Sequence, residues 1–127
     1  MSILPFSHSF GLGNVHVSFL VGGSVIIQRN SINIKKILED IIRYKATFFA
    51  AVPSTLRIIV DNYIDLFREC GNSLKIIVSN TNAMPVEVSR KIIDNLPKTN
   101  FCYYYGLTEA SRSSFINFNK NPERLYY

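Results

Sequence analysis

Long apolar runs are missing from this 127-residue sequence. No stretch approaches the roughly 20 apolar residues that a helix needs to cross a bilayer, so no membrane span is expected. No charged start leads into an apolar core and a cleavage site, so no secretory leader is expected either. There are two cysteines, Cys70 and Cys102. Their spacing suits neither a metal site nor a redox pair, and nothing argues for an oxidising compartment. Cys102 sits in an apolar, strand-like run and reads as a buried thiol. Cys70 precedes Gly71 at a helix end. A basic block is also lacking. The net charge is +5, but the 14 lysines and arginines are scattered, among them Arg29, Lys35, Lys36, Arg43, Lys45, Arg57, Arg68, Lys75, Arg90, Lys91 and Lys98. Scattered charge is the pattern of a solvated surface, so no nucleic-acid partner is expected. There is no linker or low-complexity tract. These absences point to a soluble, cytoplasmic protein.

What is present is apolar residue in quantity. At 47% hydrophobic the chain is globular rather than disordered, and its length suits one domain. Ile34, Ile37, Leu38, Ile41 and Ile42 form one stripe of a helix. Leu56, Ile59, Val60, Tyr63, Ile64 and Phe67 repeat that spacing in a helix opened by Pro53 and ended by Gly71. A weaker helix follows Pro85, with Val88, Ile92 and Leu96 stepping by four and Pro97 stopping it. Between the helices lie β-rich runs: Ser24 to Gln28, Thr47 to Val52, Leu74 to Ser79 and Asn100 to Tyr105. Most are too continuously apolar for a sheet wetted on one face. The alternation predicts an α/β fold, a mostly parallel sheet with flanking helices. The start near Ile3 to Pro5 and the end at Leu125-Tyr126-Tyr127 both read as cuts through a larger fold.

In open α/β sheets, ligands bind beyond the carboxyl ends of the strands. The residues placed there are Ser7, His8 and Ser9; Pro53, Ser54 and Thr55; Ser79, Asn80, Thr81 and Asn82; and Gly106, Leu107, Thr108 and Glu109. Such loops also need helix caps, so Ser54, Thr55 and Thr108 suit N-capping as well as ligand binding.

The run Tyr103-Tyr104-Tyr105-Gly106-Leu107-Thr108-Glu109-Ala110-Ser111 resembles the aromatic-Gly-x-Thr-Glu signature of adenylate-forming enzymes, the group that includes acyl-CoA synthetases. Leu4-Pro5-Phe6-Ser7-His8-Ser9-Phe10-Gly11-Leu12 is similar to that family's Pro-x-x-His segment. Gly22-Gly23 before a strand, and Thr47 to Pro53 before a helix, also fit. Together these cover almost the whole chain, which the resemblance places inside the large N-terminal domain, as a partial nucleotide- and acyl-binding subdomain over residues 1–127.

The resemblance implies roles. Tyr105 would lie against adenine, where aromatic stacking is worth roughly 1–3 kcal/mol. Gly106 would let the backbone approach the nucleotide, beside Leu107. Thr108 would donate its hydroxyl to the α-phosphate, and Glu109 would hold Mg²⁺, a hard cation suited to carboxylate and phosphate oxygen. His8 would stand near the acyl-adenylate carbonyl and the thiol entry path, and Phe10 would line the acyl pocket. Asn82 and Ala83 would run along the adenine, although Asn80-Thr81-Asn82-Ala83 departs from the small residues many relatives carry. His16 falls on a stripe with Leu12, Val15 and Phe19 and reads as structural.

Implied cofactors are ATP or AMP, Mg²⁺ and CoA. Implied partners are a small carboxylic acid, CoA or a carrier-protein thiol, and the rest of a parent polypeptide. The family's phosphate-binding loop belongs upstream of His8. Its ribose-binding aspartate, hinge and catalytic lysine belong beyond Tyr127. The sequence therefore reads as a ligase fragment inactive alone, or as a standalone non-catalytic adenylate-binding or interaction remnant of that fold.

Overall fold

The computed structural model describes residues 1–28 and 33–126. Arg29, one of the scattered cations, and Tyr127, the last residue of the expected cut end, lie outside the described residues. Among the described residues, five helices and four strands follow in the order α1 (Ser9–Leu20), α2 (Ile34–Arg43), β1 (Phe48–Ala50), α3 (Pro53–Asn62), α4 (Ile64–Cys70), β2 (Ile76–Ser79), α5 (Val86–Asn95), β3 (Asn100–Tyr105) and β4 (Ser114–Asn117). A 3₁₀ turn, Pro122–Tyr126, comes after them. The sheet order is β1-β2-β3-β4. Phe48 pairs with Ile76 and Ile76 with Asn100, both in parallel ladders. The expected mostly parallel α/β sheet with flanking helices is what forms.

Residues two apart on a strand share a face. One face carries Phe49, Ile77 and Phe101, which pack with Ile37, Leu38, Ile41, Leu56, Ile59, Phe67 and Ile92 from α2 to α5. Full burial of one such side chain is worth roughly 1.5–3 kcal/mol. The other face carries Ala50, Val78, Cys102 and Tyr104, which pack against Leu4 and Phe10.

The helices form where their local chemistry asks for them. The Asn33 side chain accepts from the Lys36 amide at 3.0 Å and opens α2. Pro53 sits in the first turn of α3, where its missing N–H costs nothing. Leu96 closes α5 ahead of Pro97.

Three expectations need correction. The single helix from Pro53 to Gly71 is two helices, because Tyr63 leaves helical geometry at φ −136°, ψ 30°. The break turns α4 onto α2, where the Cys70 thiol approaches the Leu38 carbonyl at 3.6 Å. The run Ser24 to Gln28 is not a full strand. Ile27 and Ser2 make one parallel bridge, Ser2 makes a second to Ala50, and no further pairing extends them among the described residues. Lastly, β4 runs antiparallel to β3 and was not anticipated. The eight residues between these strands are too few for a crossover, so the chain returns by the hairpin route.

Candidate functional site

Because Met1–Ile3, β1, β2 and β3 all run the same way, the segments that follow them emerge on one rim. Three carry expected site residues: Leu4–Ser9, the 80–85 loop and the Gly106–Ser113 loop. Ser54 and Thr55 are inside the first turn of α3 and do not cap it; Val52 holds the cap position without a side-chain bond.

His8 occupies the N-cap position of α1 in an extended conformation, and its side chain makes no capping bond. It is exposed. Its carbonyl accepts the Leu12 amide at 3.0 Å, and its amide bonds back to the Pro5 carbonyl at 3.3 Å. Gly11 is required here: a Cβ would run into the Pro5 carbonyl oxygen. Phe10 is buried and meets the Tyr104 ring edge-on at a centroid distance of 5.3 Å.

The run of three tyrosines is sorted by the pleat. Tyr104 is 3% exposed against α1, while Tyr105 is 60% exposed at the carboxyl end of β3. Tyr103 lies between these extremes, beside Phe118, and burial raises its phenol above the usual range. Its hydroxyl donates to the Asn82 carbonyl, which ties the 80–85 loop to β3. Asn82 and Ala83 are exposed in that loop. Thr81 holds a left-handed backbone at φ 91°, with the Asn80 side chain accepting from its amide. Ser79, just before, is fully buried, and its hydroxyl has no partner among the described residues.

Thr108 and Glu109 form the tip of a tight turn. Leu107 and Ala110 bond each other reciprocally, amide to carbonyl, at 3.2 Å both ways. No helix follows, so Thr108 is not a cap and Glu109 is not a first-turn carboxylate. Both side chains are exposed, as is Leu107. Gly106 has its own reason to be glycine: a Cβ would run into the backbone nitrogen of Arg112 as the loop folds back. The close approach is thus to the loop itself.

The structure therefore gathers Tyr105, Gly106, Leu107, Thr108 and Glu109 in one hairpin end, with Phe10 one aromatic contact away through Tyr104. It also adds residues that pattern reading did not select. Tyr103 is one. Asn14 and Arg112 are two more: the Arg112 guanidinium donates to the Asn14 side-chain oxygen at 3.1 Å and stands 5.4 Å above the Tyr104 ring. A contact between residues so far apart in sequence leaves no local signal.

His16 is exposed beside Phe19 and Leu20. The stripe assigned to it faces outward, and α1 buries Phe10, Gly11 and Asn14 instead. A hollow of about 450 Å³ opens between α1, residues 23–26 and residues 44–48. It lies at the amino rim of the strands and includes none of the expected site residues. No trio of metal-ligating side chains occurs among the described residues, so Glu109 offers a single carboxylate.

Comparison with known proteins agrees with this fold. The family described as AMP-binding enzyme matches residues 1–126. A 4-coumarate–CoA ligase-like protein of Arabidopsis thaliana is 24% identical over 97% of this chain and 22% of its own length. The mouse mitochondrial medium-chain acyl-CoA ligase ACSF2 is 31% identical over 90% of this chain and 18% of its own. The chain thus spans about a fifth of the length of the curated relatives it matches. Among solved structures, o-succinylbenzoate CoA synthetase of Bacillus subtilis, in complex with its acyl-adenylate intermediate, superposes with a TM-score of 0.81 at 21% identity. That match covers 96% of this chain and 24% of the synthetase.

Proposed function

Since the chain belongs to the AMP-binding enzyme family, we propose that it supplies the adenylate-binding rim of an ATP-dependent carboxylic acid:CoA ligase. In that reaction a carboxylate attacks the α-phosphate of ATP, giving acyl-AMP and pyrophosphate, and a thiol then takes the acyl group. The observation that carries the reading is the exposed Thr108–Glu109 turn, beside Tyr105 at the end of a parallel strand. The CoA-ligase names of the relatives support the reaction class, and their 4-coumarate and medium-chain acids set the first substrates to try.

On this reading Tyr105 offers its face to adenine, with Asn82 and Ala83 along its edge and Gly106 and Leu107 beneath. The Thr108 hydroxyl donates to the α-phosphate. Glu109 suits Mg²⁺, which keeps most of its waters and takes one or two carboxylates together with substrate phosphates. His8 and Phe10 face the acyl side. In-line phosphoryl chemistry rests on positioning and charge neutralisation. The phosphate loop and the catalytic lysine that the resemblance calls for are not in this sequence, so the chain alone does not turn over. Its setting is the cytoplasm, a reading supported by two free, buried cysteines.

The test is calorimetric titration with AMP and with ATP at several Mg²⁺ concentrations. A hydrogen bond to a charged phosphate is worth roughly 1.5–3 kcal/mol. Thr108→Ala should therefore weaken AMP about 10- to 150-fold, with an unchanged melting temperature. Glu109→Gln should weaken ATP in a way that added Mg²⁺ partly relieves, and should leave AMP nearly as in the wild type. If the wild type binds neither nucleotide, or both variants bind as it does, the assignment fails. Pyrophosphate exchange by the purified chain would refute its dependence on the missing parts.

A further inference from the structure

Resting on that reading, we propose that Arg112 is a positioning residue that docks the Gly106–Ser113 loop onto α1, and so sets Thr108 and Glu109 at their working distance from His8 and Phe10. Four features converge on it. Its guanidinium donates to Asn14 across the sheet–helix boundary. It also stands over the ring of Tyr104, the same ring that Phe10 meets edge-on. Its backbone nitrogen fills the space a side chain at Gly106 would need, so the loop closes on Arg112 itself. And it holds a left-handed backbone at φ 58°, a conformation that persists only when surrounding contacts determine it.

The partner is built for the purpose. Asn14 is buried, and its amide nitrogen donates to the Phe10 carbonyl at 2.8 Å, which leaves the side-chain oxygen facing Arg112. One asparagine thus links the acyl-side helix to the nucleotide-side loop. Among the described residues, the loop's other hydrogen bonds are internal. Leu107 and Ala110 bond each other, and the Ser113 hydroxyl donates to the Ala110 carbonyl at 2.6 Å. Among the described residues, Arg112–Asn14 is the side-chain hydrogen bond by which the loop reaches another element. No carboxylate among the described residues makes an ion pair with Arg112, so the planar fork and its ring contact define the dock. A lysine would carry the charge without that geometry.

Two measurements on the full chain test this. The first is amide exchange without ligand. Arg112→Ala and Asn14→Ala should each speed exchange across 107–113 about tenfold, the double variant should be no faster than either, and β2 should keep its rate. The second is binding of adenosine and of an unhydrolysable acyl-adenylate mimic, 4-coumaroyl- or octanoyl-sulfamoyl-adenosine. The mimic spans the loop and α1, whereas adenosine touches one side alone. Arg112→Ala should weaken the mimic about tenfold and adenosine less than about twofold, with Arg112→Lys in between. A general loss of structure would weaken both ligands alike. Unchanged loop exchange, or equal losses for both ligands, overturns the docking role. A wild-type chain with a tethered loop that binds neither ligand overturns the adenylate-binding reading instead, and the positioning role with it.

Discussion

The two faces of the sheet are finished differently. Against α2 to α5, Phe49, Ile77 and Phe101 are fully buried in one continuous core. Against α1 the packing is shallow. Phe10 and Tyr104 are covered, but the carboxyl end of the helix and its cap leave Phe19 60%, Leu20 85% and Val21 78% exposed. A helix that is apolar all round belongs in an interior. The closed face therefore holds the fold together, while the thinly covered face carries His8, Phe10, Asn14 and Arg112, the residues tied to the rim.

The contrast breaks most sharply if the two faces respond alike to truncation. Phe101→Ala should cost about 3–5 kcal/mol in denaturant unfolding, whereas Phe19→Ser should stay within about 0.5 kcal/mol of the wild type. Comparable losses would mean that α1 is as much a part of the folding core as α2. The next effect is on association. An exposed apolar surface of this kind should make the isolated chain self-associate. Serine at positions 19, 20 and 21 together should bring its sedimentation mass towards the monomer. A monodisperse wild type would show that the open face needs no cover.

The smallest effect is on the closed face and depends on pH. Burial pushes the Cys70 thiol from its ordinary 9.0 up to about 12. The unfolded chain releases this proton near its ordinary value while the folded chain keeps it. Stability from this source is thus fully present below about pH 9 and is lost as pH rises towards 12. Cys70→Ala removes that slope, so its stability gap from the wild type should narrow between pH 9 and 11. A constant gap would place the thiol in contact with solvent.

Much of this was legible in the sequence, for reasons that also mark where reading stopped. Ile37, Leu38 and Ile41 announced α2 because one face of that helix is buried and the other is charged. α1 gave no such contrast, so its stripe of Leu12, Val15, His16 and Phe19 was placed on the wrong side. The apolar spacing runs unbroken through Tyr63, so the split between α3 and α4 had no local signal. Ser24 to Gln28 has the composition of a strand, but composition does not supply a partner. At the candidate site, Thr108 and Glu109 were singled out because a contiguous motif marks them. Tyr103–Asn82 and Arg112–Asn14 are contacts between separate elements, and only folding brings them together.

The hairpin that ends the sheet also bears on the order of assembly. Residue 48 must find 76, and 76 must find 100, whereas Tyr105 need only find Ser114. Loop closure grows more costly with the logarithm of the intervening length, which favours the shorter closure by about 1 kcal/mol. The Thr108–Glu109 turn is therefore the least costly strand pairing to nucleate, and it is expected to form ahead of the parallel ladders beside it. Destabilising substitutions within the β3–β4 pairing should slow folding, while those at the β1–β2 seam should mainly hasten unfolding.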